Sequence, residues 1–216
     1  EVGFAWWIQP QAYHGYSIAS LYGLMNWSQA NFAIAKEIEL PLRSTPIARY
    51  PNDVYDGTGK SRGNPWILAN FAAAQALNMA GQFFLNKPAE VAVNDVFIFY
   101  PQHVEMWKYF YNLSLSYGFC KASTCTQWNN MISQISQGKP CSVPRSKDTA
   151  WVALANTLFQ LSDDTLNVPF ALLGYPYNLS EQIQRDSGAM VGAPYLTWSY
   201  SSLLNALTHR KTRNQP

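Results

Sequence analysis

Residues able to hold paired oxygens or move a proton are concentrated in two short stretches. The first is Arg49-Tyr50-Pro51-Asn52-Asp53-Val54-Tyr55-Asp56-Gly57. A guanidinium is a rigid fork of donors suited to paired oxygens. Asp53 and Asp56 offer it a salt bridge if no other oxygen does. The second is Ser180-Glu181-Gln182, where Glu181 is either a candidate acid or base or an ordinary surface glutamate after a serine. Around these stretches the chain is unusually aromatic, at 15% with 8 Trp and 13 Tyr. Charged residues make up only 13%, about half the usual share. Aromatic rings present flat apolar faces with polar edges, which suits stacking on pyranose rings as well as filling a core.

Other chemistries lack the residues they need. Three cysteines (Cys120, Cys125 and Cys141) form no CxxC pair, and the three histidines lie far apart, so no metal site is expected. One local disulfide is expected, joining Cys120 or Cys125 to Cys141, with the odd thiol free or paired elsewhere. Lys and Arg are scattered at a net charge of +2, so there is no basic stripe of the kind nucleic acid requires. The one dense cluster, His209-Arg210-Lys211-Thr212-Arg213, reads as a solvated helix end where cations suit the dipole. No apolar run approaches the roughly 18 residues of a membrane span, and no signal peptide opens the chain. Its start at Glu1 with the apolar run Val2 to Ile8 reads as a processed or truncated end. Three N-glycosylation sequons, at Asn26, Asn112 and Asn178, add modest weight to secretion.

The elements that must position these residues are helices. Apolar spacing predicts one over 16–36, followed by a Pro- and Gly-rich loop from Leu40 to Gly63. Asn64 as N-cap and Pro65 at the first position predict a helix over 66–85, with the run Ala72-Ala73-Ala74 allowing close helix packing. A further helix is predicted over 95–117, interrupted at Pro101. Residues 120–147 read as an irregular stapled excursion, and Lys147-Asp148 as the opening of a helix running to about Leu161. Leu166 to Asp186 reads as turns, and Tyr195 to His209 as a last helix with Leu196, Leu203, Leu204 and Leu207 on one side. Val91–Val93 and Phe97–Phe99 are the only strand candidates. The composition of a 216-residue globular chain fits one domain or a piece of a larger one.

Three segments together resemble glucoamylases, glycoside hydrolase family 15: the 49–57 loop, Gly63-Asn64-Pro65-Trp66 followed by the alanine triplet, and Ser180-Glu181-Gln182 with Leu196-Thr197-Trp198-Ser199-Tyr200. The resemblance implies an all-α fold, part of an (α/α)6 barrel with roughly half of its twelve helices. Residues 1–216 would be the C-terminal portion of the catalytic domain, secreted, with apolar helix flanks left for the missing N-terminal half to cover. It implies inverting hydrolysis of starch-like glucans, releasing β-glucose from non-reducing ends. That reaction needs an acid and a base about 6.5–9.5 Å apart, with water between base and sugar.

Glu181 takes the base role by this resemblance. The family's acid lies in a Trp-Glu-Glu segment, which is absent here; Glu105, before Met106-Trp107, reads as a structural helix residue. Arg49 would hold sugar hydroxyls, or pair with Asp53 or Asp56. Asp53 would orient donors there, or make a turn. Tyr50 and Tyr55 would meet the substrate or support Glu181. Trp66 would touch a leaving-side glucose or begin its helix's core, Trp198 would lie beneath the innermost sugar or in the core, and Gln182 would support the loop. Tyr195 stands where the family usually carries an acidic residue. Asn178 lies so near Glu181 that its sequon is expected to be unused. The implied partner besides the N-terminal half is an α-glucan or maltooligosaccharide, with no cofactor, metal, nucleic acid or membrane. The competing reading is a non-catalytic glucan-binding or regulatory module that lacks the acid.

Overall fold

A computed structural model describes residues 16–37, 43–85, 96–120, 125–144, 149–173, 178–211 and 213. Seven α-helices are present among them: α1 (Tyr16–Asn31), α2 (Ile34–Glu37), α3 (Ile67–Leu85), α4 (Val104–Ser116), α5 (Thr126–Ser136), α6 (Thr149–Leu172) and α7 (Thr197–Lys211). Two small antiparallel ladders accompany them. β1 (Val96–Phe99) pairs with β2 (Cys141–Pro144), and β3 (Gln182–Ile183) pairs with β4 (Met190–Val191). The chain divides into two compact units, residues 1–78 with 161–216, and residues 79–160.

In the first unit, Ile67, Phe71 and Ala74 of α3 pack with Leu166 of α6, Leu179, Ile183 and Ala206 of α7. The alanine triplet works as its composition suggests. Ala73 and Ala74 are buried, and the Ser162 hydroxyl of α6 reaches the Ala74 carbonyl at 2.7 Å. Such an approach requires small side chains on α3.

The start of α3 differs from the capping reading. The helix begins at Ile67, and Asn64 does not cap it. The backbone N–H groups of Trp66 and Ile67, which a helix start leaves without internal partners, donate to the carbonyls of Ile47 and Glu181 at 2.9 and 3.2 Å. Asn70 fixes the 45–47 segment as well. Its side chain accepts from Ile47 N–H at 3.1 Å and donates to the Thr45 carbonyl at 3.2 Å.

The second unit is held by aromatic rings. Phe84 stacks on Trp151 at 5.7 Å, Phe99 meets Trp107 edge-on at 4.7 Å, and Tyr111 meets Trp128 at 5.5 Å. Its disulfide joins Cys120 to Cys125, with Cα atoms 5.9 Å apart, not either of them to Cys141. Cys141 is a buried free thiol in β2, paired in register with Phe99, and burial pushes its pKa up.

Several predicted boundaries are corrected. Residues 120–147 contain α5, whose buried Trp128, Met131 and Ile135 form one stripe. The 95–117 segment is a strand, a 3₁₀ turn (Pro101–His103) and α4. α6 continues to Leu172 through Pro169, where turns were expected. On α7, Leu203 and Leu207 face the core, whereas Leu204 is exposed. The basic tail is not merely solvated, since Arg210 and Arg213 both pair with Asp163 at 2.9 Å. The apolar run Val2–Ile8, the strand candidate Val91–Val93 and the helix opening Lys147-Asp148 lie outside the described residues.

Candidate functional site

All the candidate residues belong to the first unit. The 49–57 loop folds back on itself because Asn52 adopts φ 62°, a left-handed conformation that asparagine tolerates better than most residues. The turn delivers the Asp53 carboxylate to Arg49 as a two-point pair, Nε to Oδ2 at 2.7 Å and Nη2 to Oδ1 at 2.9 Å. Asp53 is 3% exposed and also accepts the Tyr55 N–H at 3.2 Å, so it both makes the turn and holds Arg49. Gly63 backs this turn. At φ +65° its Cα lies so close that an added Cβ would sit 1.9 Å from the Asp53 carbonyl oxygen.

The Arg49 guanidinium lies over the Trp66 ring at 4.0 Å, with Tyr50 and Tyr55 rings at 5.4 and 5.6 Å. These are cation–π distances. The hydrogen bond to Asp53 raises the Arg49 pKa, against the effect of burial, and the charges of Asp53, Tyr50 and Glu181 raise it further. Glu181 therefore acts electrostatically on Arg49. Asp56 takes no part in that pair. Its carboxylate accepts the N–H groups of Thr58 and Gly59, which lower its pKa to about 2.

Glu181 is fixed by backbone. Its N–H donates to the Ala193 carbonyl at 2.9 Å, and the Ala193 N–H returns to Glu181 Oε2 at 3.3 Å. Its carbonyl receives the Ile67 N–H described above. Gly192, at φ +76°, makes room for the carboxylate, because a Cβ there would lie 2.5 Å from Oε2. The two loops meet at glycines, where a Cβ on Gly57 would be 2.9 Å from Gly192 Cα. Gln182 is fully buried, bridges in antiparallel fashion to Trp66, and accepts from Asn64 Nδ2 at 3.0 Å.

The Leu196–Tyr200 segment is tied to the same loop. The Leu196 N–H donates to the Leu179 carbonyl, Ser199 Oγ donates to the Ser180 carbonyl at 2.8 Å, and the Leu179 N–H donates to the Tyr200 hydroxyl at 3.3 Å. Trp198 is thereby turned outward and is 64% exposed, so a core role for it is corrected. Tyr195 is 62% exposed and Tyr50 52%. Trp66, by contrast, is buried beneath Arg49. Tyr55 donates its hydroxyl to the Gly57 carbonyl. Asn178 is half-buried. Glu105 is an exposed α4 residue paired with Lys108 at 2.9 Å, in the second unit.

The roles of two residues escaped the sequence reading. Asn64 joins the two loops through its side chain. The residue before a proline is pushed out of helical conformation, which is the signal that its amide was free to bond elsewhere. Arg185 gives its guanidinium to the carbonyls of Asn31, Arg62 and Gly63 and lies 5.3 Å from the Phe32 ring centre. Burial, and then Arg62, lower its pKa. No local pattern in the sequence distinguishes it from the surface Arg62.

Residues 9–208 match the model of glycosyl hydrolases family 15, and the chain belongs to that family. It is 32% identical over 164 residues to a glucoamylase of Saccharomycopsis fibuligera and 30% identical over 165 residues to a probable glucoamylase of Schizosaccharomyces pombe. Each match covers 76% of this chain and 28% of the relative. The fold is similar to the solved structure of glucoamylase from Saccharomycopsis fibuligera, with a TM-score of 0.70 at 23% identity over 93% of this chain and 36% of that one. The chain is therefore part of an (α/α)6 barrel. It spans less than a third of the length of the two relatives it matches.

Proposed function

We propose that this chain is the C-terminal portion of a secreted glucoamylase-type catalytic domain that releases β-glucose from the non-reducing ends of α-1,4 and α-1,6 glucans by inversion. Glu181 is its general base and draws the proton from the attacking water. The general acid comes from an N-terminal half that completes the domain. Arg49, held rigid by Asp53, directs its remaining donors to hydroxyls of the terminal glucose. Trp198 and Tyr50 offer exposed rings to sugar faces. Trp66 contributes from below, by fixing the plane of Arg49, and Gln182 by holding the Glu181 loop.

The observation that carries this reading is the setting of Glu181. Backbone N–H contact and a glycine cradle fix its carboxylate, and it lies near enough to Arg49 to raise that residue's pKa. A base must be fixed in this way if it is to hold one water on one face of a sugar. The test is glucose release from maltotetraose. The 216-residue chain alone should release negligible glucose, because a positioned acid contributes about 10²–10⁴-fold. Assembled with an acid-bearing N-terminal half, it should release glucose as the β-anomer, seen by proton NMR. Glu181→Gln in that assembly should cost a similar factor. Rapid hydrolysis by the chain alone, or α-glucose as first product, refutes the proposal.

A further inference from the structure

We infer that Asn64 is a positioning residue that sets the placement of Glu181 relative to the Arg49–Asp53 pair. The inference deepens the function proposed above and rests on it. Asn64 is 5% exposed, and its side chain makes three hydrogen bonds. Nδ2 donates to the Asp56 carbonyl at 3.1 Å and to Gln182 Oε1 at 3.0 Å, and Oδ1 accepts from the Arg185 N–H at 3.1 Å. The partners belong to the loop that carries Arg49 and Asp53, to the residue next to Glu181, and to the turn beyond β3.

The polarity of this hub follows from its partners. A backbone N–H can only donate and a backbone carbonyl can only accept. Arg185 therefore takes the Asn64 oxygen, and Asp56 takes the nitrogen. The second N–H then faces Gln182, so Gln182 must present its oxygen. Its Nε2 is left buried and without a partner, as is the Nε1 of Trp66, a residue whose backbone forms an antiparallel bridge with Gln182. One asparagine thus orients the amide beside the base. It also adds a buried side-chain tie between two loops whose backbones approach at Gly57 and Gly192, beside the more exposed ties made by Arg185 to Gly63 and by Arg62 to Asp186. Unpartnered buried donors are costly, so this arrangement persists only while Asn64 enforces it.

The test compares Asn64→Ala and Asn64→Asp with wild type in the assembled, glucose-releasing protein, at a temperature where circular dichroism shows all three folded. Both variants should lose kcat by about 10- to 100-fold, the scale of a misplaced catalytic group, with KM nearly unchanged because Arg49 and Asp53 remain paired. Asn64→Asp keeps the acceptor for Arg185 and loses both donors, so it should be as impaired as Asn64→Ala. Full kcat in either variant, or a loss confined to melting temperature, overturns the inference. An independent readout needs no turnover. In the 216-residue chain with ¹⁵N-labelled glutamine, the Gln182 side-chain hydrogens are protected by burial alone and should exchange slowly with solvent, and measurably faster in Asn64→Ala, where the released amide can turn into the space the side chain leaves. Unchanged exchange overturns the role of Asn64 whatever the protein hydrolyses. A wild-type assembly that releases no glucose while exchange responds as expected overturns the proposed reaction and supports the placement of Gln182 by Asn64.

Discussion

Residues 16–78 and 161–213 bury thirteen polar side chains among those described, from Ser28 to Ser199, whereas residues 79–160 bury Ser114 and Thr157 alone. The first unit therefore adds to its apolar core a lattice of specific hydrogen bonds between loops. Asn70 spans Thr45 and Ile47, Asn64 spans Asp56 and Gln182, and Ser199 holds Ser180. The second is a stack of rings around Phe99, Trp107 and Trp151, stapled by Cys120–Cys125. Apolar contacts tolerate exchange among residues of similar volume. Directional bonds do not, because each lost partner strands another buried group. A unit of the first kind can hold a carboxylate and a guanidinium to a fixed geometry; a unit of the second kind supplies bulk stability.

That contrast can be broken from its apolar side first. Trp107 is 2% exposed and touches Phe99 and Phe110. Trp107→Ala should destabilise the protein by about 3–5 kcal/mol, the range for emptying a buried aromatic site, while Trp107→Phe should recover most of it. Urea unfolding followed by circular dichroism measures both. Equal losses for Ala and Phe would mean that the second unit depends on specific contacts after all.

The polar side should respond to chemistry more than to volume. Arg49→Ala leaves the buried Asp53 carboxylate with the Tyr55 N–H as its remaining described partner, at a cost of about 3 kcal/mol. Arg49→Lys keeps the charge but loses the two-point fork, so it should restore only part of that stability. Trp66 fluorescence should shift in both variants, because the cation over its ring is lost or displaced. A lysine variant as stable as wild type would show that charge alone holds the loop.

The same contrast explains what was legible in the sequence. Arg49, Asp53, Glu181 and Gln182 stand in short motifs whose turns need particular residues, and the structure gathers them in one unit. Most helices were legible from apolar spacing, but α5 was not, although Trp128, Met131 and Ile135 make an apolar stripe, because the cysteines, Gly138 and Pro140 around it read as loop. Elsewhere a long-range contact decided the outcome. α3 starts at Ile67 rather than after Asn64 because Ile47 and Glu181, far along the chain, supply the carbonyls that a local cap would have replaced. α6 runs past Pro169 inside a packed core, against the local rule. Cys141 was a fair candidate for the disulfide by spacing, but its strand pairing holds it opposite Phe99. Arg185 was invisible because its carbonyl partners at Asn31, Arg62 and Gly63 carry no side-chain signature.

The smallest expected effect separates two carboxylates of one loop. Asp53 is buried against a cation, whereas Asp56 is at the surface and is held by the N–H groups of Thr58 and Gly59, which lower its pKa from 3.8 to about 2. A carboxylate with a depressed folded-state pKa adds stability that is complete above its unfolded value and is lost as pH falls through the folded one. For Asp56 that window runs from 3.8 down to about 2. Asp56→Asn keeps an oxygen for the two donors and removes the charge. The variant should therefore unfold at slightly lower urea than wild type near pH 5, and the gap should close near pH 2. Solvent screens so exposed a group, so the gap is smaller than the other two effects. A gap equal at both pH values would mean that the Thr58 and Gly59 donors recognise an oxygen and not a charge, and that the loop's only electrostatic clamp is Arg49 on Asp53.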